Sequence, residues 1–339
     1  MACAITSQTA AASVKAVADG PDPNGEATDS VHPALLQNYP YISGGPTYQS
    51  AGTNVGATMF NGNAYLAFVR LDKKIQIFVE SDLGNNTGQS VNPNVVLTDT
   101  SNTAPALIAF NGYIYLFYVG QDTHVYWKRS ADGTNWGTTV DMAPGGNSFA
   151  YRPAPVVFQS TLSVFVTWTW TDGNSYILEY SFASDGVSAF GPSNTTAGGQ
   201  KLVCIIGGGC NAEFTHAAPG AAVWNGNLYL AWAGATTDRP LFIKHYGGPF
   251  SGWSGNTIVS AQNGIPSLWP LPTKLEMVYY GNDNRLWRTY TTDGTTFTGT
   301  ARDNASLPYG PPAPFLSYGA SDVWVFYKGT NGQLYTSIE

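Results

Sequence analysis

Apolar and polar residues alternate in three short runs along the stretch from Ala104 to Trp136. The first run ends before Asn111-Gly112, the second ends at Tyr118 before a Gly-Gln-Asp-Thr turn, and the third is followed by Asp-Gly and the tryptophan. Runs of this length with a period of two, bounded by turn residues, are typical of antiparallel strands. The stretch therefore predicts a small antiparallel meander.

The same order of features recurs along the rest of the chain. If the residue that ends the first run is taken as a marker, the intervals between successive markers are 50, 48, 66, 47 and 48 residues. A period in the high forties, with three or four strands in each unit, is typical of propeller blades. The sequence therefore predicts six blades. The markers are Phe60, Phe110, Phe158, Trp224, Leu271 and a position near Gly319.

Composition favours the same fold class. The chain of 339 residues has 14% aromatic residues, 38 glycines and 21 prolines, which provide much turn chemistry and leave few long windows for helices. We therefore expect an all-β chain that forms a six-bladed β-propeller of four-stranded antiparallel blades. A repeat architecture closes on itself, so residues 44–339 are expected to form a single domain.

The end of the sequence predicts how the ring closes. In blade two, 27 residues separate Tyr126 of the third strand from Pro153 of the next blade, but only 4 residues follow the equivalent Tyr335. A fourth strand does not fit there, and an open edge strand is a liability. We expect residues 1–43 to form an N-terminal arm that donates the closing strand, with His32 to Ser43 as the candidate segment.

Charge and hydropathy exclude two classes of partner. Only 11% of the residues are charged and the net charge is -7, so no basic stripe is available to neutralise a nucleic-acid backbone. No apolar run approaches the roughly 20 residues that cross a bilayer. The N-terminus lacks the pattern of a signal peptide, so we expect synthesis without a signal or a mature form, with a secreted or extracellular location favoured.

No cofactor or metal site is predicted. The acidic cluster between Asp19 and Asp29 lacks the alternating ligand spacing of a calcium loop, which favours a solvated loop. An insertion over residues 196–216 explains the long interval before blade four. Within it, Cys204 and Cys210 enclose a short glycine-rich loop and are expected to form a disulfide, with Cys3 left over; free buried thiols are the alternative.

Three turns between the third and fourth strands share an Asp-Gly step followed by an aromatic residue. In such a turn Asp accepts backbone N–H groups, Gly takes a positive φ, and the aromatic side chain folds back into the blade. These turns resemble the Asp boxes of sialidase-like and carbohydrate-binding propellers, although two of them, at Asp132 and Asp293, are one residue shorter between the Asp and the aromatic residue. Blade four departs from the pattern, because Gly247 to Trp253 contains no Asp. The three turns begin at Asp132, Asp185 and Asp293 and end at Trp136, Phe190 and Phe297.

In those families the Asp boxes lie on the face opposite the binding site. The resemblance therefore implies a functional face formed by the loops between strands two and three and by the loops between blades. In five of the six blades, strand two ends in an aromatic residue and an Asp or Asn follows within a few residues. An aromatic ring beside carboxylate, amide and guanidinium groups suits a sugar, which presents an apolar C–H face and a rim of hydroxyls. The structural alternative is that these rings pack blade against blade and that the Asp or Asn serves only the turn.

We expect the strongest ligand site on this face between blades four and five. Only there do two adjacent loops each supply an aromatic residue, a carboxylate and an arginine, which would permit stacking together with charge-assisted hydrogen bonds. Trp232, Asp238 and Arg239 are expected to face Tyr279, Asp283 and Arg285 across one blade boundary. The further candidate ligand-binding residues are Tyr118, Asp122, Tyr151, Arg152 and His216.

The resemblance implies a lectin that binds glycans or glycoconjugates through several shallow sites and gains avidity from them. Two alternatives stay open: a sialidase-like or other glycoside hydrolase, and a protein-binding or toxin-associated propeller. A sialidase needs three arginines for the substrate carboxylate, and Arg70, Arg152 and either Arg239 or Arg285 could supply them. The sequence contains no motif of a metalloprotease, a serine hydrolase or a P-loop enzyme, so no catalytic residue is assigned and a non-enzymatic role is favoured.

Overall fold

In the part of the chain that the computed structural model describes, every regular element is a β-strand. The structure describes residues 55–80, 95–142, 148–169, 175–181, 201–202, 215, 217–234, 240–247, 253–260, 264–281, 286–302, 313–316, 323–328 and 334–338. Within these ranges, no helix is long and apolar enough to cross a membrane.

The strands form six antiparallel sheets, each built from consecutive segments of the chain. Blade one contains β1 (Gly56–Phe60), β2 (Asn63–Val69), β3 (Lys74–Glu80) and β4 (Val95–Thr100). Blade two contains β5 (Ala106–Phe110), β6 (Tyr113–Val119), β7 (Val125–Ser130) and β8 (Val140–Asp141). Blade three contains β9 (Ser148–Phe149), β10 (Ala154–Phe158), β11 (Thr161–Thr169), β12 (Ser175–Ser181) and β13 (Lys201–Leu202). Blade four contains β14 (Gly220–Trp224), β15 (Asn227–Ala233), β16 (Leu241–Tyr246) and β17 (Thr257–Ser260). Blade five contains β18 (Gly264–Pro270), β19 (Leu275–Gly281), β20 (Leu286–Thr291) and β21 (Thr298–Arg302), and the described part of blade six contains β22 (Ala313–Leu316), β23 (Val323–Lys328) and β24 (Leu334–Ile338). The predicted fold class, a six-bladed propeller of antiparallel blades, is confirmed.

Two-residue turns join the first two strands of blades one to four. In blade two, Asn111 and Gly112 both have positive φ, at 48° and 74°, which is the turn type that matches the twist of the strands. Blade three has no Asn-Gly step at this turn. Gln159 and Ser160 nevertheless take the same left-handed conformation, with φ of 48° and 61°, which is uncommon for residues other than glycine and asparagine.

The first strands of the six blades surround a common axis. Each contacts the first strands of its two neighbours, and β22 contacts both β18 and β1, so these strands form a closed ring. They approach closely because the residue at the equivalent position is small. A Cβ added to Gly56 would lie 2.4 Å from the carbonyl oxygen of Pro105. The small residues at this position in blades one to five are Gly56, Ala106, Ala154, Gly220 and Ser267.

The hydrophobic core lies between the blades. Successive side chains of a strand point to opposite faces of the sheet, so each second strand serves two interfaces. In β6, alternate residues from Tyr115 to Val119 pack toward blade three, whereas alternate residues from Ile114 to Tyr118 pack toward blade one. Burial on both faces explains why these strands read as nearly continuous apolar runs.

The predicted Asp-Gly turns of blades two and five are formed. The carboxylate of Asp132 accepts hydrogen bonds from the backbone N–H groups two and three residues later, at 2.8 and 2.7 Å, and Gly133 has a φ of 76°. Trp136 Nε1 donates to the Gly133 carbonyl at 3.1 Å. Asp293 accepts the equivalent hydrogen bonds in blade five. The turn at Asp185 lies outside the described residues.

Replacing Asp132 with alanine is expected to lower the melting temperature at neutral pH. Hydrogen bonds from Asn135, followed by those from Thr134 and Ser130, hold the pKa of Asp132 well below its usual range. A depressed folded-state pKa contributes stability above the unfolded-state pKa of about 3.9, and this contribution is lost as the pH falls through the folded-state value. Thermal unfolding should therefore separate the Asp132→Ala variant from the wild type at pH 7 and bring the two together as the pH falls below about 4. Equal melting temperatures at pH 7 would contradict this account of the turn.

Blade three differs from the prediction in two ways. Lys201–Leu202 lies in the segment that we predicted to be an insertion, but it pairs with β12 as the fourth strand of the blade. The short strand β9 was not predicted; Phe149 is 1% exposed, and its N–H donates to the Thr123 carbonyl of blade two at 2.9 Å. The segment before β10 thus ties blade two to blade three.

The N-terminal arm over residues 1–43 and all three cysteines lie outside the described residues. Donation of the closing strand by His32 to Ser43 and the disulfide between Cys204 and Cys210 therefore stay predictions.

Candidate functional site

A tyrosine of the second strand fills the space beside the Asp-Gly turn of the next blade. Tyr65 of blade one is 4% exposed, and its hydroxyl donates to the carbonyl oxygen of Asp132 at 3.4 Å. A Cβ added to Gly133 would lie 2.2 Å from the Tyr65 ring. At the boundary between blades four and five, a Cβ added to Gly294 would lie 2.2 Å from the hydroxyl of Tyr229. Tyrosine and turn glycine therefore fit together at both boundaries.

At the boundary between blades three and four, neither the second-strand tyrosine nor the Asp-Gly turn is present. Ser163 occupies the tyrosine position, since it pairs with Val156 of β10 as Tyr65 pairs with Thr58 of β1. The corresponding segment of blade four, from Gly247 to Trp253, contains no Asp. Serine leaves most of the tyrosine's volume empty, and a cavity of about 220 Å³ lies at this boundary. Blade three lines the cavity with Phe158, Gln159, Ser163 and Glu179, and blade four lines it with Tyr246 and Trp253.

Glu179 supplies the negative charge of the cavity. It lies in β12 opposite Phe165, and its side chain is half-buried. Its Oε1 accepts a hydrogen bond from the Ser163 hydroxyl at 2.9 Å. A carboxylate has about four lone-pair sites, so this bond leaves acceptor capacity for a ligand. The equivalent positions of blades one, two and four hold the buried apolar residues Ile77, Trp127 and Ile243.

Tyr246 and Trp253 form the aromatic wall of the cavity. Trp253 is 6% exposed, and its ring centroid lies 5.4 Å from that of Tyr246. The Tyr246 ring meets Phe158 edge-on with the centroids 6.0 Å apart. In blade two the position of Tyr246 is occupied by Ser130, whose hydroxyl accepts the N–H of the turn glycine. At this position blade two has the Ser130 hydroxyl, which supports the turn, whereas blade four has the Tyr246 ring, which lines the cavity.

The hairpin of blade three that carries Gln159 borders the cavity. Gln159 is exposed and has the left-handed backbone already described. Non-glycine residues in this conformation carry local strain, which is concentrated at functional sites in proteins. The amide of Gln159 adds both donors and acceptors to the polar side of the cavity.

The arrangement suits a small polyhydroxylated ligand. Aromatic edges on one side can contact C–H groups, and the carboxylate, hydroxyl and amide on the other can bind hydroxyl groups. The volume of about 220 Å³ is smaller than the roughly 300–1,000 Å³ of sites for drug-sized molecules. The cavity therefore has the size of a site for a small ligand. Across the described ranges, no group of three or more His, Cys, Asp or Glu side chains could hold a metal ion.

Two aromatic residues of the predicted loop-face site do not have the expected arrangement. Trp232 and Tyr279 are each 1% exposed. Trp232 packs with the Phe158 and Phe165 side chains of blade three, whereas Tyr279 packs with blade four. The two residues occupy equivalent positions, and each points toward the preceding blade, so the sheet of blade four separates them. Their burial matches the packing role that was the structural alternative, and the ligand site between blades four and five stays a prediction.

The polar members of that predicted site lie outside the described residues. Their roles, and that of His216 in the loop before blade four, stay predictions. The four polar residues are Asp238, Arg239, Asp283 and Arg285.

The candidates in blade two have partners within the protein. Tyr118 is 2% exposed, and its hydroxyl donates to Asp99 at 2.6 Å; burial, together with this hydrogen bond, raises the pKa of Tyr118. The carboxylate of Asp122 accepts hydrogen bonds from the Tyr126 hydroxyl at 2.5 Å and from the His124 N–H at 3.2 Å. These contacts match the structural alternative for an aromatic residue and an Asp at a hairpin.

The remaining candidates are in the loop that precedes β10. Tyr151 and Arg152 are both half-buried there, and Arg152 reaches the axis of the ring. Arg70, which was considered for a sialidase-like triad, lies with its Nε 3.2 Å from Asp72 of its own hairpin.

Similar solved structures share the fold of this chain. No protein-family model matches the sequence, and no curated protein matches it. A variant of the Aleuria aurantia lectin in complex with Fucα1-6GlcNAc has 16% identity and a TM-score of 0.58, and the match covers 87% of this chain and 96% of that one. That lectin is described as a six-bladed β-propeller with a novel mode of fucose recognition. AofleA from Arthrobotrys oligospora, also a variant, has 13% identity and a TM-score of 0.58 over 86% of this chain and 83% of that one. A Trypanosoma rangeli sialidase has 12% identity and a TM-score of 0.55 over 84% of this chain and 53% of that one.

Proposed function

We propose that this protein is a lectin and that the cavity between blades three and four binds one sugar residue of a glycan. The observation that carries the proposal is that blade three has Ser163 where blades one, two and four have a space-filling tyrosine. This leaves a cavity of about 220 Å³ beside the rings of Tyr246 and Trp253. Glu179 then places a charged acceptor where blades one, two and four have an apolar side chain. Fucosides are suitable first probes, because the Aleuria lectin with the same fold was solved with a fucosylated disaccharide.

Hydrolysis is not part of the proposal. Most glycoside hydrolases use two carboxyl groups, roughly 5 to 10 Å apart, on either side of the scissile bond. Among the described residues that line the cavity, Glu179 is the one carboxylic acid. A single carboxylate can hold a sugar hydroxyl but cannot serve as both proton donor and nucleophile or base.

Blade five repeats the replacement of the tyrosine by a polar residue. Glu276 occupies the tyrosine position and is 2% exposed. Its Oε1 lies beside the Lys274 ammonium and 3.6 Å from Arg288 Nη2, while its Oε2 is buried and has no hydrogen-bond partner among the residues that the structure describes. Arg288 occupies the position that Glu179 has in blade three. Polar residues at the same positions in a second blade support binding at more than one site. Several sites would convert weak affinity for single sugars into avidity.

Replacing Glu179 with glutamine is expected to weaken glycan binding about 5- to 10-fold. The substitution keeps the shape of the side chain and removes its charge, and the difference between a charge-assisted and a neutral hydrogen bond is about 1 kcal/mol. Titration calorimetry with methyl α-L-fucoside, or with the strongest glycan on an array, measures the change in Kd.

The matched control for this experiment is Asp122→Asn, which makes the same chemical change on the loop face. We expect it to leave the Kd unchanged, because Asp122 serves its own hairpin. If Asp122→Asn weakens binding and Glu179→Gln does not, the sugar binds on the loop face and the proposed cavity is wrong.

A further inference from the structure

The connection from blade two to blade three is fastened at both ends to one short stretch of blade two. Where the chain leaves blade two, the N–H of Met142 donates to the carbonyl oxygen of Val125 at 2.9 Å. Where it enters blade three, the N–H of Phe149 donates to the carbonyl oxygen of Thr123 at 2.9 Å. Because β9 pairs with β11 of blade three, the second hydrogen bond joins the two blades. The residue between the two acceptors is His124.

The side chain of His124 adds a third contact at the same place. Its Nδ1 lies 2.8 Å from Oδ2 of Asp141, the last residue of β8. The pairing of β8 with β7 extends over two residues, so few ladder hydrogen bonds hold this outer strand. The side chains of His124 and Asp141 are 25% and 27% exposed, and a pair with this exposure contributes modestly to stability.

The groups around the imidazole make histidine the one that responds to pH. Two carboxylates act on the charge of His124, Asp141 of β8 and Asp122 of its own hairpin. The Tyr126 ring stacks beside the imidazole with the centroids 6.2 Å apart. The hydrogen bond from Tyr126 to Asp122 raises the pKa of Tyr126 to about 12, so this hydroxyl stays neutral. Histidine is the side chain that normally changes charge between about pH 5 and pH 8.

We infer that His124 and Asp141 form a pH-dependent clasp that fastens the connection between blades two and three. The clasp is tight when the imidazole is protonated and weaker when it is neutral. A neutral imidazole can still donate one hydrogen bond from Nδ1, but it loses the charge attraction to the two carboxylates. The clasp is separate from the glycan cavity between blades three and four and does not depend on the proposed lectin function.

The direction of the effect follows from the pKa of His124. The hydrogen bond to Asp141 raises this pKa above its usual value. A raised folded-state pKa contributes stability that is fully present below the unfolded-state pKa of about 6.5 and is lost as the pH rises through the folded-state value. The clasp should therefore hold the connection most firmly in mildly acidic solution and least firmly in alkaline solution.

The test is amide hydrogen exchange, measured by mass spectrometry on peptides that contain Met142 or Phe149. After correction for intrinsic exchange rates, we expect these peptides to be at least about 3-fold better protected at about pH 5.5 than at about pH 8.5. Peptides from blade five, which is remote from the clasp in the ring, serve as the internal reference. A titration of His124 followed by NMR reports its pKa directly.

Two variants identify the pair. His124→Gln keeps a donor without the charge, and Asp141→Asn removes the partner's charge, so both should abolish the difference in protection between the two pH values. Asp141→Asn should also lower the pKa of His124. The matched control is His245→Gln, which removes the imidazole that stacks on Tyr229 in blade four and should keep the difference. The proposal is overturned if the wild type is equally protected at both pH values, or if either clasp variant keeps the wild-type difference.

Discussion

Replacing Trp232 with alanine is expected to lower the free energy of unfolding by about 3–5 kcal/mol, the usual cost of deleting a large aromatic side chain from a core. The ring is 1% exposed and stacks on Phe242 with the centroids 5.6 Å apart. Lys244 Nζ lies 5.3 Å from its centroid. Because the ring packs against blade three, its removal leaves a void between two blades rather than an empty platform on the surface.

Urea unfolding followed by tryptophan fluorescence or circular dichroism measures this loss. The control is Leu71→Ala, which removes a side chain from a residue that is 47% exposed and should change stability by less than about 0.5 kcal/mol. A Trp232→Ala variant that unfolds at the same urea concentration as the wild type but no longer binds glycans would contradict the packing role. It would support the prediction from the sequence that Trp232 stacks on the sugar.

Replacing Ser163 with tyrosine is expected to reduce glycan binding by about 100-fold or more while the protein stays folded. Blades one, two and four already carry tyrosine at this position, as Tyr65, Tyr115 and Tyr229, so the strand accommodates it. The new ring would occupy the cavity of about 220 Å³ that we assign to the sugar. Calorimetric titration with methyl α-L-fucoside measures binding, and circular dichroism checks the fold.

Ser163→Ala separates the filling of the cavity from the loss of the hydroxyl. This variant keeps the cavity and loses one hydrogen bond to Glu179, so its Kd should rise by only about 2- to 10-fold. If the tyrosine variant is folded and binds the glycan like the wild type, the sugar does not occupy this cavity.

The six-bladed fold could be predicted from the sequence because its signals are local. Asn111-Gly112 and Asp132-Gly133 mark turns through their own backbone preferences, and the intervals between such turns set the number of blades. The pairing of Lys201–Leu202 with β12 has no such signal. Two residues inside a long glycine-rich segment do not specify a partner, and only the finished blade provides one.

Sequence reasoning did not identify the cavity at Ser163, because the signal for it is a residue that differs between otherwise similar repeats. An aromatic residue at the end of each second strand suggests a ligand platform, but Trp232 alternates with Ala231 and Ala233 and so points into one interface with the regularity of a core position. The informative comparison lies three residues earlier in the same strand, where blades one, two and four have tyrosine and blade three has Ser163. The axial position of Arg152 could not be predicted, because it depends on the path of an irregular loop.

The most direct test of the proposed glycan site is a crystal structure of the protein with methyl α-L-fucoside or with the strongest glycan found on an array. We predict density for one sugar residue between blades three and four, with a hydroxyl group about 2.6–3.2 Å from the Glu179 carboxylate and a C–H face against Tyr246 or Trp253. Density for the sugar on the loop face, beside Arg239 or Arg285, with the cavity at Ser163 left without sugar, would contradict it.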